Sequence, residues 1–511
     1  MTRALCELFP ISVVLLALPA ASPAAPQAWF VDSTTKVFRD DAPGDVRAAR
    51  LTAAGNETEA VQLVIRAGQD GLEGVDVRVG DLVSAEGARL QGAAVEVFRV
   101  AYVYLPAHDR EYPDPLPPWT PCSIPPGQNQ PAWLDIHVPA EAAAGVYRGT
   151  VTVTATGTAP LELPLQLTVW DFSLPETPRS RCAFGIHTQG IEAQHQVTAG
   201  SAAYDALLAR YCDMLLDHGA TPRDLYFGLE SERTAEYLND PRFNAFAIPY
   251  TEDTAELKRR VEYLRGRGWV DKGYFYVVDE PITQEHYDLL ARRAAQIHEI
   301  GADLRVVVPY FREPAFEAKD GAHGLLTGLC DIWCPKVSFY DEAFLTARQA
   351  LGEEVWWYVC WEPGAPYANL YVDMAGIDHR ALFWQQAHYN VEGFLYWTSN
   401  YWQAATGTAD PWTDMATVKD LSATVYGDGS VLYPGAKVGV DGPVASVRLK
   451  LIRTGLQDVE YLRLLQDKEG REAVRAVTAQ VVEGPDAYSK DTARYLSLRE
   501  AVGRRLSEGG R

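Results

Sequence analysis

The chain lacks any excess of positive charge. Its 511 residues carry 46 Lys and Arg against 68 Asp and Glu, a formal charge of −22. Phosphate binding needs a basic face, so nucleic acid is excluded as the natural partner, and an anionic membrane surface with it. Long apolar runs are missing too. The longest, from Ile11 to Leu18, is too short to span a bilayer. Cysteine is scarce: seven in all, with Cys330 and Cys334 the nearest to a metal spacing. No second Cys/His pair stands at zinc distance, so neither a metal nor a cofactor is expected. Cys182, Cys330 and Cys360 lie in strand-like apolar runs and read as small buried hydrophobes. No Gly-rich phosphate loop follows the first strand of the second half, which argues against a doubly wound nucleotide-binding sheet.

What is present divides by rhythm, and 511 residues exceed a single core. Arg3, the apolar run and the small residues of "PAASPAAP" have the layout of an export signal, residues 1–24; a periplasmic or secreted location follows as an expectation. Residues 25–176 alternate with period two. Val61, Leu63 and Ile65 oppose Gln62 and Arg66, and "LELPLQLTVW" repeats the pattern, as expected for a β-sandwich. Residues 108–131 form a Pro-rich excursion carrying Trp119. That segment either reaches towards a neighbouring site or stiffens a loop over a sheet edge.

From residue 177 to 467 the pattern becomes strand, loop, helix. Strands are predicted at 182–187, 224–228, 245–249, 274–280, 304–310, 330–335, 355–362 and 393–397. Pro281 reads as the first residue of one intervening helix and Gly301 as its stop. Eight apolar strands alternating with helices predict a (β/α)8 barrel, with residues 468–511 as a helical extension.

Active sites in such barrels gather at the C-terminal ends of the strands. The fourth predicted strand, "YFYVVDEP", ends on Asp279 and Glu280. His187, Tyr340, Trp361, Glu362, Trp397, Asn400 and Trp402 are the remaining candidates, all at or just beyond predicted strand ends. Carboxylates and indoles around one mouth suit a carbohydrate, whose C–H face stacks on rings while carboxylates handle its oxygens. The bland alternative is that Asp279 and Glu280 cap the following helix, and that Trp397, Trp402 and His187 are packing residues.

"YFYVVDEP", "GFLYWTSNYW", "GDGSVLYPG" and "GPVASVRLKLIRTGLQDVEYLRLL" resemble glycoside hydrolase family 123 in order and spacing. "AGNETEAVQLVIRA" and "EYPDPLPP" resemble that family's N-terminal β-sandwich. The resemblance implies an exo-acting, retaining β-N-acetylgalactosaminidase whose substrate supplies its own nucleophile, the 2-acetamido oxygen. It places Asp279 as the anion that orients the acetamido group and Glu280 as the general acid and base. The partner implied is terminal β-linked N-acetylgalactosamine on glycans. Two other readings stay open. Glu280 and Glu362 could form the acid/base and nucleophile of an ordinary retaining glycosidase, or the barrel could be an inert sugar-binding scaffold.

Overall fold

The computed structural model describes residues 26–508 apart from 405, 406 and 422. The expected export signal lies outside the described residues. Among these, no helix is long and apolar enough to cross a membrane.

The first part of the chain is the expected sandwich. One sheet orders Gln27–Asp32, Glu57–Arg66, Asn129–Val138 and Val95–Arg99, all antiparallel. The facing sheet runs Cys122–Ile124, Leu72–Val79, Gly145–Thr154, Leu161–Ser173 and Ala49–Gly55, its last pairing parallel. Val61, Leu63 and Ile65 meet Leu163, Leu165 and Leu167 in the core between them. The polar face of Glu57–Arg66 is buried as well, against expectation. Gln62 donates to Ser33 and Thr35 carbonyls, while Ala60 and Trp133 pack on Val447 and Leu451 of the long helix Val447–Glu469. That helix joins the sandwich to the second part of the chain through buried charges. Arg448 donates to both oxygens of Asp114, and Lys450 and Arg453 grip Asp135 from either side. The motif "RLKLIR" is thus the seam between two folding units. Gly455 sits where that helix crosses another: a Cβ there would stand 2.5 Å from the Phe383 ring.

The Pro-rich excursion is less loop than predicted. Arg110–Pro113 pairs with Tyr102–Leu105 and Cys122–Ile124 joins the second sheet. Trp119 packs on the sandwich core, so it covers a sheet.

Eight parallel strands form the barrel, in spatial order Thr221–Pro222, Arg181–Phe184, Gly393–Tyr396, Glu354–Tyr358, Ile332–Pro335, Val306–Tyr310, Gly273–Tyr276 and Phe246–Ala247. In chain order that is 2-1-8-7-6-5-4-3. The ring closes where the Ala247 N–H donates to the Arg223 carbonyl. Both faces of each strand are apolar because one looks into the barrel and the other onto helices. Tyr274, Ile332, Cys334, Trp356 and Leu395 fill the interior, and Phe275, Val308, Trp333, Trp357 and Phe394 face the helical layer. The second strand is misplaced in the sequence reading: residues 224–228 form turns, and the strand is the pair Thr221–Pro222 before them. The fourth and seventh strands stop at Tyr276 and Tyr358, short of the predicted 280 and 362. Helices Arg471–Thr478 and Thr492–Ser507 complete the chain; Arg499 of the latter is buried between Glu57 and Asp458.

Candidate active site

Position i, i+2 alternation brings two tyrosines to the top of the barrel. Tyr274 and Tyr276 point inward from the fourth strand, as Trp356 and Tyr358 do from the seventh. Each upper tyrosine holds one of the paired carboxylates. Tyr276 donates to Asp279 Oδ1 at 2.7 Å, and Tyr358 donates to Glu280 Oε1. The segment between them is anchored by buried Val277 and Val278 and by Arg293, which donates to the Val277 carbonyl at 2.7 Å.

Asp279 and Glu280 do not cap the following helix. That helix is Gln284–Ile300, and its N-cap is Thr283, whose hydroxyl accepts from the His286 N–H. Pro281 therefore lies outside it, three residues before its first turn. Nor do the two carboxylates diverge by strand alternation, since the strand has already ended. They diverge because Glu280 takes a left-handed backbone, φ +44°, a conformation that costs a non-glycine residue about 1–2 kcal/mol. Asp279 is exposed and Glu280 half-buried. Burial pushes the Glu280 carboxyl above its ordinary range; the Tyr358 hydrogen bond opposes this, the Asp279 charge adds to it, and Lys336 opposes it. The net shift is upward, which favours a proton-donating acid.

Beside the pair lies a second one that sequence reasoning half missed. Glu362, after the seventh strand, is 49% exposed at its side chain and accepts from Lys336 Nζ at 2.8 Å. Lys336 follows the sixth strand and lies 4.7 Å over the Phe311 ring. Arg223, after the second strand, is fixed by Asp224 and lies 5.6 Å over the Tyr276 ring. Trp361 is 42% exposed, as a stacking platform requires.

The other candidates separate. Asn400 is fully buried, and its amide is committed to the His187 backbone, accepting at 2.7 Å and donating at 3.0 Å. It joins the eighth strand's end to the first strand's end, and its side chain is not free for a ligand. His187 caps helix Thr188–His195 and stacks edge-on against Tyr401, half-buried. Trp402 is a core residue, 2% exposed, donating to the Leu432 carbonyl. Tyr340 packs against Trp357 and Tyr389 in the layer between strands and helices, away from the mouth. Trp397 is half-buried, with Nε1 3.3 Å from Asp428 Oδ1. Asp428, from the "GDGSVLYPG" motif, is buried, and burial pushes its carboxyl up to about 7. A cavity of about 500 Å³ lies between sandwich and barrel beside Phe98, Asp135, His218 and Arg453. It contains none of the barrel-mouth carboxylates, so chemistry and not volume marks the site. Among the described residues no cluster of three or more His, Cys, Asp and Glu is arranged to hold a metal ion. The six cysteines there are free thiols, with Cys122 and Cys360 partly exposed.

Residues 189–465 match the profile of the glycoside hydrolase 123 catalytic domain and residues 35–155 that of the glycoside hydrolase 123 N-terminal domain. Among solved structures, a family 123 glycoside hydrolase from Clostridium perfringens is similar over 95% of this chain and 98% of its own, with 14% identity and a TM-score of 0.69. A β-D-glucuronidase of Dictyoglomus thermophilum covers 79% of this chain and 67% of its own, at 9% identity and a TM-score of 0.34. No curated protein matches the chain.

Proposed function

The chain belongs to glycoside hydrolase family 123 and is a glycoside hydrolase, and from that premise we propose that it releases terminal β-linked N-acetylgalactosamine from glycans with retention of configuration. The observation that carries this reading is the adjacent pair Asp279–Glu280, each carboxylate held by its own strand-end tyrosine and turned apart by the left-handed Glu280. In the first step the acetamido oxygen of the substrate attacks C1. The bond from C1 to the leaving oxygen breaks, and the Glu280 proton passes to that oxygen. Asp279, an exposed anion oriented by Tyr276, accepts the acetamido N–H and balances the charge of the cyclic oxazolinium. In the second step water attacks C1, Glu280 takes its proton, and the acetamido group is restored. Two inversions at C1 retain the β configuration.

Proximity supplies the nucleophile, so the protein needs no covalent partner of its own. The upward shift of Glu280 suits its first task, and its mixed environment suits the second, when it must accept a proton. The similar enzyme of Clostridium perfringens is described through glycolipid glycan hydrolysis, which supports a glycan substrate here. The N-terminal apolar run supports an exported enzyme.

A second reading has one observation in its favour. Glu362 lies close enough to Glu280 for its charge to act on it, as a nucleophile paired with an acid would. A nitrophenyl glycoside screen tests the proposal: the 2-acetamido-2-deoxy-β-galactoside should be the preferred substrate. Preference for a 2-hydroxyl glycoside would refute it.

A further inference from the structure

Lys336 is the anomaly of the barrel mouth. Its side chain is 7% exposed, yet its ammonium, with three N–H donors, has a single hydrogen-bonding partner among the described residues, Glu362 Oε2. A buried charge is costly unless its hydrogen bonds are completed. The Phe311 ring beneath it supplies a face and no acceptor. On the other side of the pair, Glu362 Oε1 has no hydrogen-bond donor among the described residues, while its side chain is half-exposed. The pair therefore presents unsatisfied donors beside an unsatisfied acceptor, next to the Glu280 carboxyl on which the Lys336 charge acts.

A sugar hydroxyl is both donor and acceptor and fits that pair. We propose that Lys336 and Glu362 form a hydroxyl clamp that reads an unsubstituted hydroxyl, or a neighbouring pair of them, on the sugar whose bond is cleaved. The ammonium donates to the hydroxyl oxygen, and the hydroxyl donates to Glu362 Oε1. This deepens the glycosidase reading and rests on it, but it does not depend on the 2-acetamido group. It also specifies the substrate class. A sulfate or other anion on the clamped position removes the donor that Glu362 needs and sets a charge against that carboxylate. The clamp thus selects a sugar whose hydroxyl at that position is free. It further assigns Glu362 to binding, outside the bond-making steps.

The test uses whichever aryl glycoside the wild-type enzyme cleaves best, so failure of the acetamido reading would not carry the clamp with it. Its 3-, 4- and 6-deoxy forms are compared in wild type, Lys336→Met and Glu362→Gln. For one position, wild-type kcat/KM should fall about 10–100-fold on deoxygenation, the cost of leaving a charged partner without its hydrogen bond. Each variant should lose a similar factor on the full substrate, mostly through KM. On the matching deoxy substrate each should lose less than about threefold more. Glu362→Gln keeps the shape of the side chain and carries the test alone if Lys336→Met does not fold. Equal losses by the variants on all four substrates would mean that the pair only props its loop, and would overturn the clamp. So would a Glu362→Gln enzyme that is inactive on every glycoside and accumulates no product from activated substrates, the behaviour of a missing nucleophile.

Discussion

Three substitutions at Glu280 separate its chemistry from its backbone. Glu280→Gln keeps the Cβ, the length and an oxygen that can accept from Tyr358, so the fold should be nearly unchanged. What it removes is the proton. Hydrolysis of natural glycosides, whose leaving oxygen needs that proton, should fall about 10²–10⁴-fold. Release of nitrophenolate in the first step should fall far less. Glu280→Ala and Glu280→Gly both leave the Tyr358 hydroxyl without its partner, a loss of about 1–3 kcal/mol where the group stays buried. They differ only at the backbone. Alanine keeps the strain of φ +44°, whereas glycine relieves about 1–2 kcal/mol of it and gives back about 0.5–1 kcal/mol in unfolded-chain entropy. Glycine should therefore be the more stable of the two by up to about 1.5 kcal/mol, measured by urea unfolding with matched slopes. Glycine less stable than alanine would refute the strain argument. Equal losses by Glu280→Gln on poor and good leaving groups would refute the acid assignment.

Other outcomes follow from the same contacts. The acid must be protonated, so activity falls as pH rises through its pKa; Tyr358→Phe removes a bond that lowers this pKa and should move the alkaline limb of kcat/KM to higher pH. Asp279→Asn removes a charge that raises it and should move the residual activity's limb the other way. Asp114→Ala strands the buried guanidinium of Arg448 at the seam between sandwich and barrel and should cost about 3–5 kcal/mol, with part of the loss recovered in the Asp114→Ala/Arg448→Met double variant. Gly455→Ala drives a methyl into Phe383 and should cost about 1–3 kcal/mol by overpacking, read as a fall in Tm that Phe383→Leu reduces.

The large rhythm of this molecule was legible because its strands are buried on both faces. Val306–Tyr310, Ile332–Pro335 and Gly393–Tyr396 are uninterrupted apolar runs that any periodicity test finds. The second strand is two residues long, too short to leave a pattern, and the aromatic "DLYFG" beside it imitated one. The adjacent carboxylates were visible, but their supports were not. Tyr276 and Tyr358 belong to different strands, and a hydroxyl's partner across a barrel depends on register, which a sequence does not contain. Lys336 hid for the same reason: one lysine after a proline reads as surface until Phe311 and Glu362 are seen around it. The signal for the helix start was there to be used, since Thr283 is a better N-cap than Pro281 is a first turn. Trp361 and Trp402 are alike in sequence, each beside a strand end, and opposite in exposure; burial is decided by the neighbours that fold against them.

Whether the substrate brings the nucleophile is decided by one comparison. The wild-type enzyme is assayed on a pair of nitrophenyl β-galactosides that differ only at C2, acetamido against hydroxyl, with an N-acetylgalactosamine-derived thiazoline as inhibitor. The acetamido substrate alone should be cleaved, and the thiazoline should inhibit far more tightly than free N-acetylgalactosamine, since enzymes bind transition-state-like species best. Cleavage of the 2-hydroxyl glycoside, with a sugar trapped covalently on Glu362, would contradict a nucleophile supplied by the substrate.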